Sequence, residues 1–202
     1  MILLDAPAHL SFLQHLLHFD YWLFHKINQQ WTNGLLDTFL PLVREGEIWA
    51  PFYLFLLFYA TLNFGKRGWW WSGAVIMTAI ISDLVSSGYI KNTIIRLRPC
   101  HEPLMADTVR LLVPYCPGSS SFTSSHACNH FALATFIFLT LKNVSKWWRL
   151  IFLWAAIICY AQVYVGVHYP LDILGGTIVG CFIGYIMSIF FNKQIGLISL
   201  QH

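Results

Sequence analysis

Long apolar runs constrain the fold of this chain more than any other feature. A helix needs about 20 mainly apolar residues to cross a bilayer, and four runs meet this length: 48–64, 69–90, 147–166 and 171–191. A fifth run, 127–141, is shorter and becomes long enough when its polar neighbours extend it. We therefore predict an all-α, polytopic membrane bundle with about five transmembrane helices.

The composition excludes several other classes of protein. Of the 202 residues, 57% are hydrophobic and 10% are charged, whereas soluble domains have about 45–50% and about 25%. The chain is therefore not disordered, collagen-like or an ordinary cytosolic enzyme. Its formal net charge of +3 is small and scattered, so we expect no nucleic-acid partner.

The first 47 residues differ from the apolar core that follows. Apolar side chains recur at spacings of three and four within 8–25, which predicts an amphipathic helix lying in the membrane interface; a sixth span is the alternative. A second short helix is predicted at 34–43. We divide a single membrane-embedded domain, 1–202, into interfacial N-terminal helices, 1–47, and a helical core, 48–191.

The short basic loops predict how the bundle is oriented. Lys66 and Arg67 form one turn, while Lys142 and Lys193 follow two later spans on the same side. By the positive-inside rule this side is cytoplasmic, so the long loop 91–125 faces outward. That loop is also basic, and we give the short loops more weight because the cations of the long loop have a chemical explanation.

Two cations begin the long loop. Lys91 and Arg98 are seven residues apart, so they share one face of a helix that Pro99 would end. Arg96 would then point about 160° away from Arg98. The structural alternative is that both cations contact lipid headgroups.

Two further polar clusters lie at the outer ends of predicted spans. Ser124 and Ser125 precede His126 and an apolar run; a serine there suits a helix N-cap, and the free N–H groups favour a phosphate. Asp172 lies four residues after His168, so its carboxylate can orient the imidazole as a nucleophile requires. Capping serines and a capping aspartate are the structural alternatives.

Together the three clusters resemble the signature of the type 2 phosphatidic acid phosphatase superfamily. That signature reads Lys-x6-Arg-Pro, then Pro-Ser-Gly-His, then Ser-Arg-x5-His-x3-Asp. The matching residues here are Lys91, Arg98 and Pro99, then Ser124 and His126, then His168 and Asp172. The resemblance covers residues 15–190 and is to the bacterial integral-membrane lipid phosphatase branch.

The resemblance implies a metal-independent lipid phosphatase that works through a phosphohistidine. It makes His168 the nucleophile and Asp172 the residue that orients it. It makes His126 the general acid that protonates the leaving alkoxide and then the general base that activates water. It implies that the phosphoryl oxygens are held by the following residues: Lys91, Arg98, Ser124 and Ser125.

The resemblance also implies the partners and the location. The substrate is a lipid phosphomonoester or pyrophosphate of the undecaprenyl pyrophosphate, phosphatidylglycerol phosphate, phosphatidate or lipid A type. No cofactor and no metal are implied. Membrane lipids surround the protein, which we expect in a bacterial inner membrane with its active site on the periplasmic face.

One departure from the signature concerns the phosphate pocket. Gln162 stands where the family has arginine; it can donate hydrogen bonds but carries no charge. We keep Gln162 in the phosphate-binding set and expect Asn129 or His130 to compensate. The alternative is a catalytically weakened or inactive binder or transporter of lipid phosphates. A lipid phosphotransferase is a further alternative.

Other side chains have a predicted supporting role. Asp83 lies inside the second span, eight residues before Lys91, and either supports the site from below or makes a structural hydrogen bond. His126 and His130 have metal-ligand spacing but lack the intervening glutamate of a zincin, so we predict no metal site.

Two further patterns concern a disulfide bond and the packing of helices. Cys100 and Cys116 lie in the outer loop and pair if that loop faces an oxidising compartment. Glycine recurs every fourth residue in the last span, at Gly176, Gly180 and Gly184. This stripe predicts close packing against a neighbouring helix, with a dimer face as the alternative.

Overall fold

The computed structural model describes residues 11–103 and 105–197. This part of the chain is built from helices and connecting loops, without a β-strand. The α-helices are α1 (Phe12–His25), α2 (Gly34–Val43), α3 (Ala50–Phe64), α4 (Lys66–Asp83), the three-residue α5 (Lys91–Thr93), α6 (Ser125–Leu141), α7 (Ile151–Tyr164) and α8 (Pro170–Gln194). Wider turns, Leu84–Ile90, join α4 to α5 without a break.

Four of the described helical segments are long and apolar enough to cross a membrane. Counted with their flanking turns, they are Gly46–Phe64, Lys66–Thr93, Lys146–Tyr164 and Pro170–Gln194. They correspond to the four long runs predicted from the sequence. The fifth predicted span is α6, which has only 17 residues.

Helix α6 lies at the centre of the bundle. It packs against α4, α7 and α8, and most of its side chains are buried by these neighbours. Because other helices surround α6, its surface does not need to be uniformly apolar like that of a span that faces lipid. Small and polar residues are therefore tolerated along it.

The closest helix pairing, between α6 and α8, depends on glycine. A Cβ atom added to Gly176 would lie 2.5 Å from the backbone oxygen of Ser124, and the next two glycines of the stripe approach α6 just as closely. The predicted small-residue stripe is thus confirmed as an intramolecular contact. Because the stripe begins in the second turn of α8, it also brings the start of α6 against the start of α8.

The N-terminal helix packs onto this end of the bundle. Ser11 caps α1 in a capping box with Gln14. Further along the helix, Asp20 and Phe24 are fully buried, and the Phe24 ring lies 5.4 Å from that of Tyr169. Helix α1 is therefore attached to α8 by its buried face. Residues 8–10 of the predicted amphipathic segment lie outside the described residues, and its interfacial position stays a prediction.

Replacing Gly180 with alanine should destabilise the protein. The new Cβ would collide with the backbone oxygen of Cys128 and push α6 and α8 apart, at a cost of about 1–3 kcal/mol. Thermal unfolding in detergent measures this as a lower Tm. Gly73→Ala in α4 is the matched control, since nothing lies within 4 Å of its Cβ position; an equal Tm for both variants would contradict the close contact.

Candidate active site at one end of the bundle

The backbone before Pro99 is extended, and the prediction of a helix that carries both Lys91 and Arg98 is wrong. The helix ends at Thr93, and Ile94 is extended. Ser120 donates to the backbone oxygen of Ile94 at 2.7 Å and accepts from the Arg96 N–H at 3.1 Å. These bonds replace helical ones, and the following proline disfavours a helical conformation at Arg98.

The imidazole of His168 is held on both of its nitrogens. Nε2 lies 3.1 Å from Arg98 Nη1, and because a guanidinium has no acceptor, Nε2 must present its lone pair. The proton is then on Nδ1, which lies 3.5 Å from Asp172 Oδ2 and 3.4 Å from Ser121 Oγ. The ring is therefore fixed as the tautomer whose free lone pair is on Nε2.

Asp172 is completely buried, and its carboxylate accepts hydrogen bonds from several groups of the site. Its Oδ2 accepts from Ser121 Oγ at 2.5 Å and from the Tyr169 N–H at 2.8 Å. The second bond caps the start of α8, whose first residue is Pro170, a residue suited to that position. The carboxylate therefore fixes the helix start and His168 together.

The other oxygen of Asp172 binds Arg96, which sequence reasoning placed away from the site. Arg96 Nη1 donates to Asp172 Oδ1 at 2.7 Å and Nη2 donates to Asp20 Oδ2 at 2.5 Å. Its guanidinium also lies over the Tyr169 ring at 4.2 Å. Burial alone would lower the pKa of Arg96, but the two carboxylates outweigh it and raise that pKa.

Asp20 connects this ion-pair cluster to the N-terminal helix. It is fully buried, and its Oδ1 accepts from the Leu171 N–H at 2.8 Å. Sequence reasoning missed both Asp20 and Ser121 as site residues. The available signal was Asp20 itself, because an aspartate on the face of a helix that becomes buried needs a partner.

Arg98 is anchored by backbone and serine oxygens. Its Nε donates to the Ser119 backbone oxygen at 2.9 Å, and its Nη1 donates to that of Val167 at 3.0 Å. Burial, and after it the charge of Arg44, lower the pKa of Arg98, while Asp172 raises it. The guanidinium is thus held rigidly beside the Nε2 atom of His168.

The second cluster begins α6. Ser124 is the N-cap and accepts from the Ala127 N–H at 3.4 Å. Its own N–H donates to the Asp172 backbone oxygen at 3.1 Å, so the second and third clusters are joined directly. Ser125 Oγ lies 2.7 Å from Ser87 Oγ, which connects it to α4.

A polar network lies beside Ser125. Ser87 donates to Asp83 Oδ1 at 3.0 Å, and Asn129 Nδ2 donates to the same oxygen at 3.2 Å. Ser82 in turn donates to Asn129 Oδ1 at 2.8 Å. The structure therefore places Asp83 under the start of α6, where both Ser125 and Asn129 depend on it.

His126 and His130 lie one turn apart with parallel rings whose centres are 6.1 Å apart. His130 Nδ1 donates to the His126 backbone oxygen at 2.8 Å, and its ring meets the Trp154 ring edge-on at 4.9 Å. His126 is the second residue of α6, whose start is joined to the start of α8 by the bond from the Ser124 N–H to the Asp172 backbone oxygen, so it lies at the same end of the bundle as His168.

Gln162 is buried to within 1% exposure on α7. Neither oxygen nor nitrogen of its amide has a hydrogen-bond partner among the described residues. It therefore brings no charge to the site, and no described side chain fixes the orientation of its amide. Within 11–103 and 105–197, no group of three or more His, Cys, Asp or Glu is arranged to hold a metal ion.

A disulfide joins the two ends of the loop after Arg98. Cys100 and Cys116 are bonded, with their Cα atoms 6.1 Å apart. Cys100 comes two residues after Arg98 and Cys116 three residues before Ser119, so the crosslink holds together the two segments that carry this hydrogen-bonded pair.

Comparison with known proteins identifies the family of this chain. The sequence profile of the PAP2 superfamily matches residues 67–195, which include all three clusters. The chain belongs to the PAP2 superfamily. Its resemblance to the type 2 phosphatidic acid phosphatases is therefore confirmed, and with it the membrane-embedded helical fold.

Individual relatives agree with this assignment. The chain is 31% identical to the lipid A 4'-phosphatase of Porphyromonas gingivalis over 178 residues, which are 86% of this chain and 73% of that enzyme. It is 29% identical to the undecaprenyl-diphosphatase BcrC of Bacillus subtilis over 160 residues, 78% of this chain and 76% of that protein. The crystal structure of Aquifex aeolicus LpxE matches with a TM-score of 0.65 and 26% identity, over 84% of this chain and 94% of that one.

The His168 imidazole should titrate well below an ordinary histidine. Burial lowers the pKa of His168 to about 4, although its bond to Asp172 acts the other way. The ring should then be neutral at pH 7, as a nucleophile requires. Selective 15N-histidine NMR, with the resonance assigned by His168→Gln, measures this; titration near 6.5 would contradict the buried position.

Arg96→Lys should slow catalysis without weakening substrate binding. Lysine keeps the charge but cannot bond Asp20 and Asp172 at once with a planar fork, so the carboxylate that orients His168 loosens. We expect kcat for phosphate release to fall roughly tenfold, about 1.4 kcal/mol, with KM little changed.

Arg110→Lys is the matched control for this prediction. Arg110 also forms an ion pair, through Nη2, which donates to both carboxylate oxygens of Asp37 at 2.7 Å, but among the described residues it makes no bond to Asp172 or His168. Its replacement should leave kcat unchanged. Equal losses in both variants would indicate a general folding defect instead of a loosened Asp172.

Proposed function

We propose that this protein hydrolyses a phosphate ester or diphosphate on a membrane lipid through a phosphohistidine at His168. One observation carries this proposal. Asp172 and Ser121 hold Nδ1, so the lone pair of Nε2 is directed at Arg98. This arrangement is that of an oriented nucleophile beside a phosphate-binding cation.

The reaction would proceed in two displacements. In the first, Nε2 of His168 attacks phosphorus, the bond to the leaving oxygen breaks, and His126 donates a proton to the leaving alkoxide or phosphate. In the second, His126 removes a proton from water, which attacks the phosphohistidine. The phosphorus–nitrogen bond then breaks, and inorganic phosphate leaves with both histidines restored.

Positive charge near His168 would stabilise the transferred phosphoryl group. We assign its oxygens to Lys91, Arg98 and the N-terminus of α6 at Ser124 and Ser125. Arg98 must exchange its contact with Nε2 for one with a phosphoryl oxygen when substrate binds. Since fixed cations offset the developing charge, the proposed mechanism calls on no metal.

The alternative of an inactive binder or transporter finds no support in the comparisons. The relatives reported above carry names that denote phosphatases or diphosphatases, and His126, His168 and Asp172 all stand at one end of this bundle. A phosphotransferase would share the first displacement and differ only in the acceptor of the second.

The substrate we place first is the 4'-phosphate of lipid A, because the most extensive of the alignments reported above is with a lipid A 4'-phosphatase. Undecaprenyl diphosphate, phosphatidylglycerophosphate and phosphatidate are the other substrates of the panel. We also propose a bacterial inner membrane with the site on the periplasmic face. Arg67, which donates to the Gly196 backbone oxygen at 3.5 Å, lies with the other short-loop cations at the end predicted to be cytoplasmic.

Phosphate release by the purified protein in detergent tests the proposal. The parent should release inorganic phosphate from at least one lipid of the panel, and His168→Ala should lower kcat roughly 10⁴-fold or more. His25→Ala, at an exposed histidine of α1, is the control and should keep full activity.

The covalent intermediate provides a second readout. Rapid quenching into alkali with a radiolabelled phosphate substrate should retain label on the parent and on the His126→Ala variant, because histidine phosphoramidates survive alkali. No label should remain on His168→Ala. Full phosphate release by His168→Ala would overturn the assignment of the nucleophile.

A further inference from the structure

The phosphate pocket lacks a cation that its family pattern supplies. Gln162 occupies the position of that arginine and its amide is unbonded. A phosphomonoester carries close to two negative charges at neutral pH. Removal of one preorganised donor of this kind costs roughly 10²–10³ in rate, so an active enzyme needs a replacement.

The two residues that the sequence offers as compensation are already engaged. Asn129 is bonded to Ser82 and Asp83, and His130 donates to the His126 backbone oxygen and packs on Trp154. Arg96, the other cation of the loop, is neutralised by two carboxylates. None of these groups offers an unpaired positive charge to a phosphate.

Arg44 is a largely buried cation whose charge is incompletely paired. It forms the C-cap of α2, and its side chain is only 14% exposed. Its Nε has no hydrogen-bond partner in the described part of the chain. Glu45 Oε1 lies 3.7 Å away on a side chain that is 63% exposed, which is too far for a hydrogen bond and too solvated to neutralise a buried charge fully.

Arg44 follows the stretch of α2 that packs against the Gln162 region of α7. Leu40 shares an apolar cluster with Ala161 and Val163, the two neighbours of Gln162. Val43 packs in a second cluster with Ile158, one turn earlier on α7. The end of α2 is therefore held beside the turn of α7 in which Gln162 stands in place of the family's arginine.

The chain after Arg44 leads to the general acid. Trp49 Nε1 donates to the Val43 backbone oxygen at 2.8 Å, and its ring lies 5.8 Å from that of Trp154. Trp154 packs on His130, the neighbour of His126 on the same helix face. The contacts thus connect the Arg44 turn to the catalytic end of α6.

The charge of Arg44 acts on Arg98, a cation of the site. It lowers the pKa of Arg98, after the larger effect of burial. Two like charges in a poorly solvated site are unfavourable unless an anion accompanies them. The repulsion, the burial and the unpaired Nε together describe one side of an anion site.

We propose that Arg44 binds the phosphoryl group of the substrate and takes the place of the arginine that the family pattern has at position 162. The proposal rests on the proposed function and identifies a further binding residue for that reaction. Arg44, Arg98 and Lys91 would then surround the phosphoryl oxygens, with one of the three cations supplied by the N-terminal segment.

Moving the charge back to α7 tests this assignment. Arg44→Met, which keeps an unbranched apolar stem, should lower kcat/KM roughly 10²–10³-fold, and Arg44→Lys should lower it less. Adding Gln162→Arg to Arg44→Met should restore at least tenfold of that loss, whereas Gln162→Arg alone should change kcat/KM little. Arg149→Ala, at an exposed residue, removes the same charge and is the matched control that should keep full activity.

Phosphate affinity separates this proposal from the proposed function. Calorimetric titration with inorganic phosphate should show weaker binding to Arg44→Met than to the parent and recovery in the double variant. This readout holds whether or not the parent cleaves any lipid of the panel. A parent that binds phosphate through Arg44 but releases none would overturn the proposed function alone.

Two results would overturn the role of Arg44. One is phosphate affinity and kcat/KM in Arg44→Met within twofold of the parent. The other is a loss that neither Arg44→Lys nor the added Gln162→Arg relieves, since a merely structural role for Arg44 predicts that outcome. Comparison of Tm among the variants identifies any that fail to fold. If Arg44→Met is one of them, the kcat/KM and phosphate affinity of Arg44→Lys decide between a binding role and a structural role.

Discussion

The buried carboxylate of Asp172 is the group on which the rest of the site depends. One oxygen binds Arg96, and the other binds Ser121 and the Tyr169 N–H while facing His168. A buried charge costs several kcal/mol unless it is fully paired, so these partners cannot be removed one at a time without consequence. The demand for pairing therefore fixes His168, the start of α8 and the extended loop in one arrangement.

The same arrangement requires the close contact between α6 and α8. The glycines of α8 let the backbones approach, and the Ser124 N–H then reaches the Asp172 backbone oxygen. A wider spacing would break this bond and separate the residues around His126 from those around His168. Helix packing at the centre of the bundle thus sets the distance between the two histidines that the chemistry needs.

Local signals in the sequence predict most of this architecture. Apolar runs determine the long helices, and the serine at 124 caps α6 as its residue type suggests. The extended segment around Arg96 could not be predicted, because its backbone bonds are made to Ser120, 24 residues later. Asp20, Arg96 and Asp172 form pairs separated by 76 residues in each case, and no periodicity within one segment reveals such pairs.

The N-terminal segment contributes to the site although it lies outside the family profile. The profile matches residues 67–195, yet Asp20, which completes the Arg96 bridge, and Arg44, the incompletely paired cation, both precede that range. Electrostatic stabilisation depends on where a charge lies and not on which helix carries it. On the proposed role of Arg44, a glutamine at 162 does not by itself inactivate the site, because the end of α2 supplies the positive charge that α7 lacks.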